Sequence, residues 1–125
     1  MSELKVTTLS NQSGVTVPVD TVISGTAKAW VNFNGTGTVA IRMAFNVSTI
    51  TDNGPGDYTV NFTTAMVDAN YSANVTADIG GVSDFAVAST GDNSTARTTS
   101  LVRTRMGTTG GSPADSTIVS VIIFS

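Results

Sequence analysis

The chain has 125 residues, which is the size of a single domain with a modest hydrophobic core. Only 12% of its residues are charged and its net charge is -3, so it lacks the basic excess of a nucleic-acid-binding protein, and its apolar runs are too short to insert into a membrane. It contains no cysteine and no histidine, which excludes disulfides, thiolate metal sites and the most common general base.

The N-terminal segment, residues 1–25, has the composition of an extended arm that precedes a folded domain at residues 26–125. Residues 2–9 predict a short strand, and a polar linker follows. Apart from a few valines, the sizeable apolar side chains of the arm are Leu4, Val6, Leu9 and Ile23. The arm can therefore add little to an intramolecular core. Segments of this kind gain order by pairing with a partner's strand edge, so we expect the arm to dock onto sister subunits or another protein.

The first strong strand pattern, residues 29–33, leads into Gly35-Thr36-Gly37-Thr38-Val39-Ala40, which satisfies the relaxed dinucleotide fingerprint G-x-G-x-x-G/A. That fingerprint needs a following helix, whose N-terminus holds the pyrophosphate. Instead, apolar residues occupy every odd position from Val39 to Val47, which is the period of a strand. The pattern predicts a hairpin whose glycines supply positive φ angles, and no nucleotide cofactor.

The rest of the chain predicts further strands separated by turn residues. Ile50 departs from the alternation of Phe45 and Val47, which indicates a β-bulge at residues 48–49. Further strands are expected at residues 58–62, 71–79, 83–88, 97–105 and 117–124. Helical spacing is absent, so we expect no helix. The pattern is that of an all-β fold, either an antiparallel β-sandwich or a jelly roll.

The turn predicted at residues 51–57 contains three oxygen-bearing side chains, Asp52, Asn53 and Asp57, that are typical calcium ligands. Their spacing does not match the calcium-loop pattern D-x-[DN]-x-[DN]-G. Asp and Asn also favour turns through hydrogen bonds to their own backbone, which accounts for them without a metal. We therefore expect a plain turn and no metal site.

The last predicted strand, residues 117–124, is apolar on both faces. A strand of this kind is normally buried on both faces, and a chain of 125 residues has too few residues to form a second layer over the outer face. We therefore expect this strand to lie at a subunit interface. The predicted interface residues are Ile118, Val119, Val121, Ile122, Ile123 and Phe124.

Arg97, Arg103 and Arg105 all have odd numbers, so one strand would place them on one face. One interpretation is a basic stripe that binds an anionic sugar or the phosphate of lipopolysaccharide, since guanidinium groups bind such anions in a fork. The alternative, which the negative net charge favours, is ion pairing with nearby carboxylates. The carboxylates considered are Asp78, Asp84 and Asp92.

The aromatic side chains allow a sugar-stacking platform, but most lie on alternating strand positions. We therefore predict that most belong to the core. They are Trp30, Phe33, Phe45, Tyr58, Phe62, Tyr71 and Phe85.

Three stretches, KAWVNFNGTGTVAIR, FNVSTITDNGPGDYTVNFTTAM and DANY, occur in order between residues 28 and 71. This part of the chain resembles a module of small tail-fibre and virion structural proteins of tailed bacteriophages. The opening LKVTTLSNQSG and the closing DSTIVSVIIF resemble the two ends of such proteins, so we expect a complete small virion protein. The resemblance implies a β-rich appendage domain, usually trimeric, and it carries no catalytic motif.

We therefore expect a non-enzymatic virion protein without cofactors, made in the host cytoplasm, that forms part of a tail fibre or tail tip and contacts the host surface. Its expected partners are two further copies of itself, other virion proteins and a bacterial surface glycan. The alternative is a capsid decoration or head-fibre protein without receptor contact. An enzyme acting on polysaccharide would need paired carboxylates, and Asp78 with Asp84 is only a loose candidate, since Glu3 is the sole glutamate.

Overall fold

The computed structural model describes residues 1–78, 87–90 and 96–125, the second range by its backbone alone. The described elements are β1 (Thr8–Ser10), β2 (Thr16–Pro18), α1 (Val19–Gly25), β3 (Ala29–Asn34), β4 (Ala40–Phe45), β5 (Val47–Gly54), β6 (Asp57–Phe62), β7 (Ser72–Asp78), β8 (Val87–Thr90), β9 (Leu101–Gly107) and β10 (Ile118–Phe124). All strand pairs between these elements are antiparallel, so the all-β prediction is confirmed.

Eight of the strands form two four-stranded sheets, with the orders β4-β3-β10-β7 and β5-β6-β9-β8. Neighbours in sequence pair as hairpins in both sheets, and the closing strand β10 lies between β3 and β7. The chain passes from the first sheet to the second between β4 and β5. The predicted strand at residues 83–88 lies largely outside the described residues, which resume at β8.

The two sheets share one hydrophobic core, because alternate residues of their central strands face inward and, apart from Thr104 in β9, are apolar. In β10 these residues are Val119, Val121 and Ile123, which are at most 1% exposed within the single chain. This corrects their assignment to a subunit interface, since the core of their own chain already covers them. Ile118, Ile122 and Phe124 remain exposed on the other face of β10.

The step between the two sheets occurs at Asn46, which has a positive φ of 54°. Its side chain holds this conformation, which asparagine tolerates better than most residues: Nδ2 donates to the Lys28 and Thr64 carbonyls at 3.0 and 3.1 Å, and Oδ1 accepts from the Thr64 N–H at 2.7 Å. The corner breaks the single strand that the alternation from Val39 to Val47 predicted. The β-bulge predicted at residues 48–49 is confirmed by a register shift between Val47 and Thr49.

The N-terminal segment folds into a small hairpin of β1 and β2, followed by α1. Across residues 1–26, all of which are described, no side chain is buried. The expectation of no helix was wrong. Four of the seven residues of α1 are Val, Thr or Ile, whose β-branched side chains lower helix propensity. The sequence of this segment therefore gave no indication of a helix.

One end of the molecule, which we call the loop pole, gathers loops from both sheets: residues 35–39, 55–56 and 108–117. The Gly35 N–H donates to the Ser116 carbonyl at 2.9 Å, and the Met106 N–H donates to the Gly56 carbonyl at 2.8 Å. The predicted loop at residues 51–57 is shorter than expected, because β5 continues to Gly54 and leaves a two-residue hairpin turn.

The opposite end, which we call the N-terminal pole, is where the chain enters β3. There the Lys28 N–H donates to the Ile123 carbonyl at 2.8 Å, close to the end of β10. Since β3 runs from this end to Asn34, directly before Gly35 of the loop pole, the N-terminal segment and the loop pole lie at opposite ends of the strands.

The hairpin loop after β3 is confirmed, since β4 pairs with β3 directly after it. Gly37 supplies the expected positive φ, at 64°. Gly35 serves a different purpose from the one expected: a Cβ at this position would lie 2.6 Å from the hydroxyl oxygen of Tyr58. Glycine is required there because the Tyr58 side chain occupies that space.

We expect Gly35→Ala to lower the free energy of unfolding by about 1–3 kcal/mol, because the added methyl displaces the buried Tyr58 ring. The matched control is Gly25→Ala, where a Cβ meets nothing within 4 Å. Urea denaturation followed by tryptophan fluorescence measures both. Equal midpoints for Gly35→Ala and the unmodified protein would contradict the close approach.

Candidate functional site

Three of the charged residues that sequence analysis singled out, Asp57, Arg103 and Arg105, lie on β6 and β9, which are neighbours in the second sheet. Asp57 pairs with Arg105 across these strands, and Thr59 pairs with Arg103. The two-residue period of the strands turns Tyr58 and Thr104 inward and leaves the charged residues on the outward face. Asp57, Arg103 and Arg105 therefore form one cluster beside the loop pole.

The Asp57 carboxylate accepts two hydrogen bonds from Arg103, with Nε 2.7 Å from Oδ1 and Nη2 2.6 Å from Oδ2. Arg105 approaches the same carboxylate less closely, with Nε 3.4 Å from Oδ2. Hydrogen bonding to Arg103 lowers the pKa of Asp57 below its ordinary value, although partial burial opposes the shift. The Arg105 side chain is 48% exposed, and its two terminal nitrogens have no partner among the described residues.

Arg97 does not share this face, which corrects the prediction of three arginines on one strand. It precedes β9 and forms an isolated bridge with Val102. Its guanidinium lies 5.2 Å from the centre of the Tyr71 ring, and its Nη1 donates to the Tyr71 carbonyl at 2.9 Å. Burial raises the pKa of the Tyr71 hydroxyl to about 12, and Arg97 partly offsets the shift.

Ion pairing of the arginines, the alternative favoured from the sequence, is present for Arg103 and Arg105, but with Asp57 as the partner. Asp57 was considered only as a calcium ligand. Of the three carboxylates named as partners, Asp84 and Asp92 lie outside the described residues.

The possible calcium ligands are engaged in other contacts. Asp52 Oδ1 accepts from the Gly54 N–H at 2.9 Å, and Asn53 Nδ2 donates to the Thr59 hydroxyl at 2.9 Å. Among residues 1–78 and 96–125 there is no cluster of three or more acidic or histidine side chains that would hold a metal ion.

A surface pocket of about 480 Å³ opens beside the charged cluster at the loop pole. Its walls come from the turn between β5 and β6 and from the segment that follows β9. Asp57 and Arg105 contribute its charged groups, whereas the exposed Pro55 and Pro113 contribute apolar surface. A concave site with apolar walls and a few polar groups is the usual form of a small-molecule site.

Tyr58 and Asp115 support this pocket, and sequence analysis missed this role of both residues. The Tyr58 hydroxyl lies 2.6 Å from Asp115 Oδ1 and 2.8 Å from the Gly35 carbonyl oxygen, and these two acceptors share its single proton. The same Asp115 oxygen accepts from the Gly56 N–H at 2.8 Å. Burial raises the pKa of the Tyr58 hydroxyl well above its ordinary value, and the Asp115 carboxylate adds to the shift. The hydroxyl therefore remains a protonated donor that fixes the loops around the pocket.

The aromatic side chains divide between the core and the surface. The core prediction is confirmed for Phe33, Tyr58, Phe62 and Tyr71, which are all buried. It was wrong for Phe45, which is 55% exposed because it pairs with Trp30 on the outward face of the first sheet. Trp30 is half-buried beside Phe45 on the same outer face, and Phe85 lies outside the described residues.

Comparison with known proteins adds no family: no family model, no curated protein and no solved structure matches the chain. Within the described ranges, no helix has the length and apolar character needed to cross a membrane.

We expect Asp57→Asn to destabilise the protein at pH 7, because the variant loses the charged acceptor of both arginines. The pKa of Asp57 is lowered in the folded state, so its contribution is complete above the unfolded value of 3.8 and is lost as the pH falls through the folded value. The difference in urea midpoint between the two proteins should therefore be constant from neutral pH to about 5 and then shrink. Asp20→Asn, on the exposed α1, is the control and should show no such difference. A gap that persists at low pH would mean that Asp57 acts through packing instead of charge.

Proposed function

We propose that the protein is a non-enzymatic structural protein of a bacteriophage virion, a β-sandwich that assembles as a homotrimer in a tail fibre or tail tip and contacts the host surface. The resemblance of residues 28–71 to a phage virion module supports the type of particle. The observation that carries the proposed role is the position of the N-terminal segment at the pole opposite the pocket.

An appendage that attaches at one end and binds at the other needs this polarity. The N-terminal segment contributes no buried side chain to the domain across residues 1–26, which are all described, so its apolar residues are available to another chain. Leu4 and Ile23, for example, are 84% and 56% exposed. At the opposite pole, the pocket and the charged cluster face solvent. We propose that the arm docks onto the particle or sister subunits and that the loop pole points outward.

The outer faces of the two sheets differ in a way that supports self-assembly. On the outer face of the first sheet, Trp30 pairs with Phe45 on one side and with Ile122 on the other. Exposed apolar side chains continue along this face at Met43 and Phe124. The exposed fractions of the Met43, Phe45, Ile122 and Phe124 side chains lie between 40% and 66%. Contiguous exposed apolar surface of this kind usually marks an interaction site.

The outer face of β5 and β6 in the second sheet is polar, and its side chains hydrogen-bond to one another. Asn61 Nδ2 donates to the hydroxyls of Thr49 and Thr51 at 3.1 and 3.0 Å. Such a face is stable in water and needs no cover. We therefore propose that sister subunits pack against the first sheet and leave the second exposed.

We expect deletion of residues 2–24 to leave a folded β-domain but to abolish incorporation into virions, because the segment buries no side chain of its own. Circular dichroism measures the fold, and quantitative mass spectrometry of purified particles measures the copy number. Full-length Arg105→Gln, altered only at the loop pole, is the control and should be incorporated normally. Normal incorporation of the truncated chain would show that the arm is not the anchor.

Immunogold labelling of the same particles tests the location. Label at the tail fibre or tip supports the proposal, whereas label across the capsid lattice would favour the decoration or head-fibre role. A protein that is absent from particles altogether would rule out both.

We expect the purified protein to be a trimer, with a mass about three times the 12.8 kDa of the chain, and Ile122→Asp to shift it to monomer. The new carboxylate would lie in the centre of the proposed apolar contact, where its desolvation is costly. Val67→Asp is the matched control, since Val67 is 93% exposed in the loop between β6 and β7. Multi-angle light scattering gives the masses. A stable monomer of the unmodified protein at micromolar concentration would overturn the assembly.

A further inference from the structure

We propose that the pocket at the loop pole binds a carboxylated saccharide and that the Arg105 guanidinium binds its carboxylate. This inference rests on the proposed function for the source of the sugar, the bacterial surface. The binding itself is a property of the pocket and can be measured on the purified protein.

The first step is the uneven charge of the cluster. Two guanidinium groups, those of Arg103 and Arg105, share the single carboxylate of Asp57. Arg103 takes both carboxylate oxygens at 2.7 Å or less, whereas the Arg105 Nε stays 3.4 Å away. Asp57 is thus satisfied by one arginine, and the cluster keeps a surplus of one positive charge on Arg105. The Arg105 side chain is half-exposed and lines the pocket.

The geometry of the guanidinium selects the form of the ligand. Since Nε of Arg105 faces Asp57, the two terminal nitrogens present a planar pair of donors, which matches the two oxygens of a carboxylate. A dianionic phosphate would bring a second negative charge towards Asp57. Asp115, whose Oδ1 accepts from the Gly56 N–H at the pocket wall, adds to that repulsion. The charges therefore favour a group with a single negative charge, such as one carboxylate, at Arg105.

The walls of the pocket select the rest of the ligand. Pro55 and Pro113, both exposed, provide apolar surface of the kind that packs against the C–H face of a sugar ring, and the Thr108 hydroxyl is available to hydrogen-bond with the ring's own hydroxyls. The volume of about 480 Å³ lies within the roughly 300–1,000 Å³ of small-molecule pockets. A carboxylate on a ring with one apolar face satisfies both the arginine and the walls.

The pocket is formed before any ligand binds, because backbone hydrogen bonds close its loops. The Thr108 N–H donates to the Ser112 carbonyl at 2.9 Å, and the Gly111 N–H donates to the Thr108 carbonyl at 2.9 Å. On the other wall, a Cβ on Gly56 would overlap the Met106 carbonyl oxygen, so the two segments are in direct contact. A preformed site loses little entropy on binding.

Isothermal titration calorimetry with trigalacturonate tests the inference on the full-length protein. We expect saturable binding, at least tenfold weaker binding of the fully methyl-esterified trisaccharide, and at least tenfold weaker binding of trigalacturonate to Arg105→Gln. Lys5→Gln is the matched control, since it changes the net charge equally in the N-terminal segment, and it should bind like the unmodified protein. Amide shifts in ¹⁵N–¹H spectra should be largest at Gly56, Gly107 and Thr108.

Three results would overturn the inference: no saturation with trigalacturonate, equal affinity for the methyl ester, or equal affinity of Arg105→Gln. Tighter binding of inorganic phosphate than of trigalacturonate would also overturn it, in favour of a phosphate site. If the protein does not bind the sugar but is incorporated normally into virions, the sugar site is ruled out and the proposed function stands. If the protein binds the sugar but is absent from particles, the sugar site stands and the proposed function is ruled out.

Discussion

The hydroxyl of Tyr58 is the contact on which the arrangement of the loop pole depends. The ring of Tyr58 is fully buried and meets Phe33 of the other sheet edge-to-face, with centroids 5.3 Å apart. Its hydroxyl leaves the core, and its single proton is shared between the Gly35 carbonyl and the Asp115 carboxylate. A single side chain thus joins the apolar interior to loops of both sheets. Residue 35 must be glycine because the Tyr58 side chain occupies the space of a Cβ. The Asp115 carboxylate is held in place because it accepts a hydrogen bond from the Tyr58 hydroxyl.

The charged cluster of Asp57, Arg103 and Arg105 also depends on the loop pole for its position. Asp57 follows the turn that Asp115 holds through Gly56, so the carboxylate that orients Arg103 and Arg105 is placed by the scaffold around Tyr58. The first sheet carries its exposed apolar surface on another face, away from this cluster. The chain therefore separates three kinds of surface: an exposed apolar face on the first sheet, a polar face on β5 and β6 whose side chains hydrogen-bond to one another, and a charged pocket at one pole.

The features that sequence analysis predicted well depend on neighbouring residues. The alternation of Tyr58, Val60 and Phe62 was enough to predict the inward face of β6, and the parity of Ile50 was enough to predict the bulge. The features that it missed depend on contacts between distant segments. The corner at Asn46 is held by Lys28 and Thr64, each 18 residues away, and Asp57 meets Arg103 across 46 residues. Which carboxylate neutralises which arginine is decided by the pairing of β6 with β9, and hydrophobic alternation does not encode that choice.

The placement of the N-terminal segment and the pocket at opposite poles has a mechanical consequence. A force that pulls on the entry to β3 while the loop pole is held acts along the strands. The hydrogen bonds between antiparallel strands run perpendicular to the strands. Such a force would load the five residue pairs of β3 with β10 in shear, so that they resist together and do not open one after another. The chain obtains this resistance to tension without a disulfide, since it contains no cysteine.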